Sequence, residues 1–154
     1  MNSWHRRYLD VVRTVAGWSK DRSTKVGAVI YNPTTHAIVS MGFNGFPRGV
    51  DDNVESRHER PTKYSFTEHA ERNAIYNAAR HGVATEGMGL ALEWYPCADC
   101  ARAIVQSGIV ELVGAEPDFK DARWGESFLV SSQILREGGV KFIPIDQEVL
   151  EMAA

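Results

Sequence analysis

Trp4, Tyr8, Val11, Val12, Val15 and Ala16 recur at spacings of three and four, which predicts one face of an amphipathic helix ending near Gly17. Short apolar runs at 26–30 and 37–41 flank Asn32-Pro33-Thr34-Thr35 and predict a hairpin. From Gly42 to about Tyr64 the pattern dissolves into Gly, Pro, Asp and charged residues, a connection longer than a compact domain keeps unless it binds something. Helical periodicity returns from about Glu68 to Arg80, with Ala70, Ala74, Ile75 and Ala78 as packing positions and His81-Gly82 as the stop. That boundary puts His69 and Glu71 in the first helical turn.

Strands at 89–92, 110–113 and 140–143 then alternate with helices at 97–107 and about 125–136. Such alternation implies an α/β sheet covered on both faces, its later strands parallel. The 154 residues, 44% hydrophobic and 24% charged, suit a single domain over 1–154, and neither repeat nor linker divides them.

Charge narrows the partners. A formal net charge of -3 supplies no global basic field, which argues against long nucleic acid and for a small-molecule ligand. No apolar run has membrane-spanning length, the first residues lack the apolar stretch of a signal peptide, and both cysteines, Cys97 and Cys100, fall in one short motif. These features predict a cytoplasmic protein with no membrane partner and no disulfide framework.

The chemistry concentrates in His69-Ala70-Glu71 and Pro96-Cys97-Ala98-Asp99-Cys100, the paired signature of zinc nucleobase deaminases. Cys97 and Cys100, three apart at a helix start, bring their sulfurs to one side of the first turn, where the helix dipole favours thiolates. His69 is the third candidate ligand for one Zn²⁺ per chain. Three protein ligands suit a catalytic zinc better than a structural one, which takes four. With two thiolates and a neutral imidazole the net charge at the metal is zero, so the acidity it lends to water is modest and Glu71 is needed to carry the proton. A Cys-x-x-Cys alone also fits half of a structural zinc site or a thiol oxidoreductase pair. The latter leaves His69 and Glu71 unexplained.

Beyond the metal motif, the runs at 23–30, 42–52, 63–64, 69–75 and 96–109 closely resemble deoxycytidylate (dCMP) deaminases. The likeness extends from about Asp21 to Ile109. Its most specific part is Asn44-Gly45-Phe46-Pro47-Arg48-Gly49, which separates this family from tRNA adenosine, guanine and free-nucleoside deaminases. The resemblance implies a three-layer α/β/α cytidine deaminase-like fold with a mixed sheet of about five strands. It also implies hydrolysis of dCMP to dUMP and ammonia, feeding thymidylate synthesis. Deamination of another cytosine nucleotide, nucleoside or free base is the nearest alternative.

Carried over residue by residue, the resemblance makes His69, Cys97 and Cys100 zinc ligands and Glu71 the proton shuttle. Asn44 is then the contact to the sugar 3′-hydroxyl and the main chain of Ala70 the contact to the pyrimidine carbonyl. Arg48, in its glycine-flanked loop, suits a nucleotide phosphate. Lys25, Arg57, Arg60 and Lys63 are further cations for that charge, and Tyr95 is the aromatic placed for a base contact. Trp94 and Trp124 are expected to pack. The family further implies a homo-oligomer, hexamer or dimer, and regulation by dCTP and dTTP with Mg²⁺. With no further cysteine, a second structural zinc is not expected. The segment 118–125 is less familiar within that pattern, and its expected influence is on subunit contacts or the phosphate end.

Overall fold

In the computed structural model, which describes residues 1–146, 148 and 149, the chain enters α1 (Ser3–Ala16) through a capping box. The Asn2 side chain accepts the N–H groups of Trp4 and His5, and the His5 ring accepts the N–H of Asn2. A hairpin of β1 (Gly27–Tyr31) and β2 (Ile38–Phe43) follows. The long connection after it is not featureless: it holds a 3₁₀ turn at Glu55–Arg57 and a one-turn helix α2 (Lys63–Phe66). Then come α3 (Ala70–Arg80), β3 (Gly89–Leu92), α4 (Ala98–Gln106), β4 (Glu111–Gly114), α5 (Gly125–Glu137) and β5 (Lys141–Pro144).

The five strands form one mixed sheet in the order β2-β1-β3-β4-β5. β1 pairs antiparallel with both β2 and β3, whereas β3–β4 and β4–β5 are parallel because α4 and α5 serve as crossovers. Alternate residues serve opposite faces. Val29, Tyr31, Ala91 and Val113 pack under Tyr8, Leu9 and Val12 of α1. Ala28, Ile30, Leu90, Leu92 and Leu112 face the other way, against Ala74 of α3, Ile104 of α4 and Leu135 of α5. This is the expected three-layer arrangement. Among the described residues no helix is long and apolar enough to cross a membrane.

Helix α3 is held to the edge strand closely enough to fix where its first residue lies. A Cβ at Gly42 would stand 2.3 Å from the Ala74 nitrogen and 2.6 Å from the Ala70 carbonyl oxygen, so only glycine lets the backbones approach. Asn73 and Asn77 donate to the Phe43 and Met41 carbonyls at 2.8 and 2.7 Å, and Ser40 donates to the Ala74 carbonyl at 2.7 Å. These bonds also cover polar groups that an edge strand would otherwise present to solvent.

Candidate active site

His69 is not in the first turn of α3. It is the N-cap residue, with extended φ −79° and ψ 154°, and the helix begins at Ala70. This corrects the sequence-based boundary and removes its difficulty, since two residues two apart inside a helix point nearly opposite ways. One residue on the cap and one in the first turn can serve a single site. Upstream, Gly45 and Glu68 form an isolated antiparallel bridge with backbone bonds of 3.0 and 2.8 Å. The Glu68 carboxylate accepts the His69 N–H at 3.0 Å and the Arg72 guanidinium at 2.6 Å. Arg72 also reaches toward Asp99 of α4 at 3.9 Å, so one cation spans both helices that carry the motif.

Cys97 is the N-cap of α4 and Cys100 lies in its first turn. His69 Nδ1 stands 3.6 Å from Cys97 Sγ and 3.5 Å from Cys100 Sγ, and the three donor atoms lie within 4.8 Å of one another. Zinc bonds of roughly 2.0–2.1 Å to nitrogen and 2.3 Å to sulfur, at a tetrahedral angle, subtend an N···S separation of about 3.6 Å. The donor set and its spacing fit a zinc ion.

The protonation chemistry is consistent with that fit. Hydrogen bonding from Cys100, against the opposing effect of burial and with help from His69, holds the Cys97 thiol down at about 4. The same shared hydrogen bond, together with burial, pushes Cys100 up. His69 is raised by its hydrogen bond with Cys97 more than burial lowers it. The cluster thus holds protons that a cation displaces when it binds. Glu71 is buried at 4% exposure, and burial, outweighing the neighbouring His69, raises its carboxyl above the ordinary carboxylate range.

His69, Ala70, Glu71 and Cys97 all line a cavity of about 480 Å³. Asn44 and Tyr95 line it as well. Asn44 is buried, its side chain accepting the Val26 N–H at 2.8 Å and donating to the Thr24 carbonyl at 2.8 Å. The Tyr95 ring meets Phe128 and Phe142 edge-on at 5.5 and 5.4 Å, so it is part of a packed aromatic wall. Ala70 presents an N–H that finds no partner among the described residues, because no side chain caps α3.

Two of the candidate cations are engaged by other side chains. Arg48 is outside the cavity lining and donates to Asn77 of α3 at 2.7 Å. Lys63 does line the cavity, but it is buried and bound to Asp21 and Ser23. Conversely, the segment 118–125 supplies Asp121, Arg123 and Trp124 to the lining, and Trp124, expected to pack, stands edge-on to His69 at 6.1 Å between ring centroids. Asp21, Thr24 and Phe128 were also missed. Nothing local in the sequence marks these residues.

A family described as the cytidine and deoxycytidylate deaminase zinc-binding region matches residues 2–116. A protein described as an uncharacterized deaminase in the luxG 3′ region of Aliivibrio fischeri is 42% identical over 151 residues, covering 95% of this chain and 97% of that one. The deoxycytidylate deaminase of Homo sapiens is 32% identical over 149 residues, covering 92% and 80% respectively. A dCMP deaminase of cyanophage S-TIM5, solved in complex with dCMP and dUMP, shares the fold with a TM-score of 0.73 at 24% identity, covering 94% of this chain and 99% of that one.

Proposed function

The chain belongs to the cytidine and deoxycytidylate deaminase family, and from that premise we propose that it hydrolyses dCMP to dUMP and ammonia. The observation that carries the reading is the His69, Cys97 and Cys100 cluster, two of whose members line a cavity together with the buried Glu71. His69, Cys97 and Cys100 would hold one zinc ion. When bound, the ion supplies the Lewis acidity that makes water nucleophilic near neutral pH.

Glu71 takes a proton from the attacking water and delivers it to the N3 ring nitrogen as the water oxygen bonds to C4. It then passes the second proton to the amine, which leaves as ammonia when the C4–N bond breaks. A carboxyl raised by burial suits this double duty as base and acid. In this reading the main-chain N–H of Ala70 meets the pyrimidine carbonyl, Asn44 the sugar and Tyr95 the base, and the support is that all three line the cavity.

The finer reading is a cytoplasmic homo-oligomer regulated by dCTP and dTTP with Mg²⁺. Exposed Ile38, Met41 and Phe43 of β2, with exposed Trp18 edge-on to Phe43, support association. A second hollow of about 260 Å³, lined by Lys20, Arg22, Asp52 and His58 and sharing Asp21 and Lys63 with the main cavity, supports an effector position.

The test is ammonia release from dCMP, CMP, deoxycytidine and cytosine by the purified protein, with zinc quantified by elemental analysis. Fastest turnover of dCMP with one zinc per chain is expected. Faster turnover of deoxycytidine or cytosine would overturn the substrate.

A further inference from the structure

The cavity must offer positive charge where a nucleotide phosphate ends, because the protein as a whole is acidic. Of the candidate cations, Lys25 is not part of the cavity lining. Arg48 is bound to Asn77 away from the lining. Arg57 is also outside the lining, donating to the Asp51 carbonyl at 2.8 Å with its guanidinium over the Phe66 ring at 4.7 Å. Lys63 directs its ammonium at Asp21 Oδ1, Asp21 Oδ2 and Ser23 Oγ at 2.8, 2.6 and 2.6 Å, and an ammonium has three donors. Among the described residues, Arg60 and Arg123 are the cations of the lining left without a carboxylate within salt-bridge reach.

Arg123 lines the cavity on the loop that also carries Trp124. Its neighbour Trp124 is edge-on to the candidate ligand His69 at 6.1 Å between ring centroids, so Arg123 belongs to the same cavity wall as the metal cluster. Asp121 accepts the N–H groups of both Arg123 and Trp124 at 2.8 and 2.7 Å, fixing the loop through its backbone. The guanidinium then lies 5.6 Å from the centroid of Tyr64, an exposed ring on the segment that also bears Arg60. A guanidinium supported on an aromatic face keeps its donor edge for a bidentate oxyanion.

We infer that Arg123, together with Arg60, receives the 5′-phosphate of the substrate and sets the preference for a nucleotide over its nucleoside. This assignment rests on the proposed dCMP reading. It gives the otherwise unplaced 118–125 segment a role in specificity.

The experiment compares dCMP with deoxycytidine for the wild type and for Arg123→Gln, Arg123→Lys, Arg60→Gln and Arg48→Gln, each checked for zinc content and melting temperature. Loss of a charge-assisted contact should raise KM for dCMP about tenfold or more in Arg123→Gln. Its kcat, and its kcat/KM for deoxycytidine, should stay near wild type. Arg60→Gln should move the same way by less, and Arg123→Lys should retain part of the preference. Equal losses on both substrates, or a preference abolished by Arg48→Gln while Arg123→Gln keeps it, would overturn the inference and leave the dCMP reading standing. A wild type that turns over deoxycytidine as well as dCMP would sink that reading, and the inference with it.

Discussion

The ammonium of Lys63 and the carboxylate of Asp21 meet inside the cavity wall, Nζ lying 2.8 and 2.6 Å from the two oxygens, with side chains 10% and 7% exposed. The pair joins α2 to the loop that precedes β1. Asp21 also accepts the N–H groups of Ser23 and Thr24 at 2.8 and 3.0 Å, and the Thr24 carbonyl is held by Asn44. Burial pushes the Asp21 carboxyl up, but Lys63 and those amides together outweigh it and hold it at about 2. Its contribution to stability is whole above the unfolded value and is lost as pH falls through about 2.

Replacing Lys63 with Met should therefore act on structure before chemistry. Leaving Asp21 buried and unpaired costs about 3–5 kcal/mol. A lower melting temperature and parallel falls in kcat/KM for dCMP and deoxycytidine are expected. A loss confined to dCMP would instead mean that Lys63 touches the phosphate.

Glu71→Gln should separate metal binding from turnover. The side chain keeps its size, and His69, Cys97 and Cys100 remain, so elemental analysis should find zinc at the wild-type level. The rate should fall by at least the 10²–10⁴-fold typical of a lost general acid–base, roughly. Cys100→Ser, by contrast, should lose zinc and activity together. Zinc lost to a similar extent in both variants would remove Glu71 from the proton-carrying role.

Gly42→Ala should propagate from a strand to the metal cluster. The added methyl meets the α3 backbone at Ala74 and Ala70, which cannot yield as a side chain end would. The helix must shift, and His69 with it, at a cost of roughly 1–3 kcal/mol. Reduced zinc occupancy with a lower melting temperature is expected. Gly45→Ala, whose methyl would meet nothing within 4 Å, should leave both near wild type.

His5 ties stability to mild acid. Burial lowers its pKa, overcoming the raising effect of Glu111 at 3.8 Å, and the N-terminus and Lys141 lower it further. Tyr8 and Tyr31 complete its surroundings. Because the unfolded chain takes the proton more readily, stability is whole above the unfolded value of about 6.5 and falls as pH drops through it. Protonation also removes the acceptor that Nδ1 offers to the Asn2 N–H. His5→Gln retains an acceptor but does not titrate, so its melting temperature should vary less between pH 7 and 5. Matching slopes for the two proteins would show that His5 is not the group involved.

The strands and the longer helices were legible because a half-buried element repeats its apolar residues at a fixed period, and that period survives in a linear string. The metal cluster was legible because its chemistry is carried by two short spacings. Helix α2 was not. Four residues are too few to show a period, and Lys63 is placed there by Asp21, more than forty positions earlier. Arg48 had the right side chain in a suggestive loop, yet the packing of α3 on β2 delivered it to Asn77.

By itself the sequence determined which residues are chemically able to act, because thiolate, imidazole and carboxylate chemistry belongs to side chains and their near neighbours. Tertiary structure alone decided which of them share a cavity. Whether Arg48 or Arg123 reaches it depends on how helices pack across the sheet, and a relation between residues far apart in the chain leaves no local pattern to read.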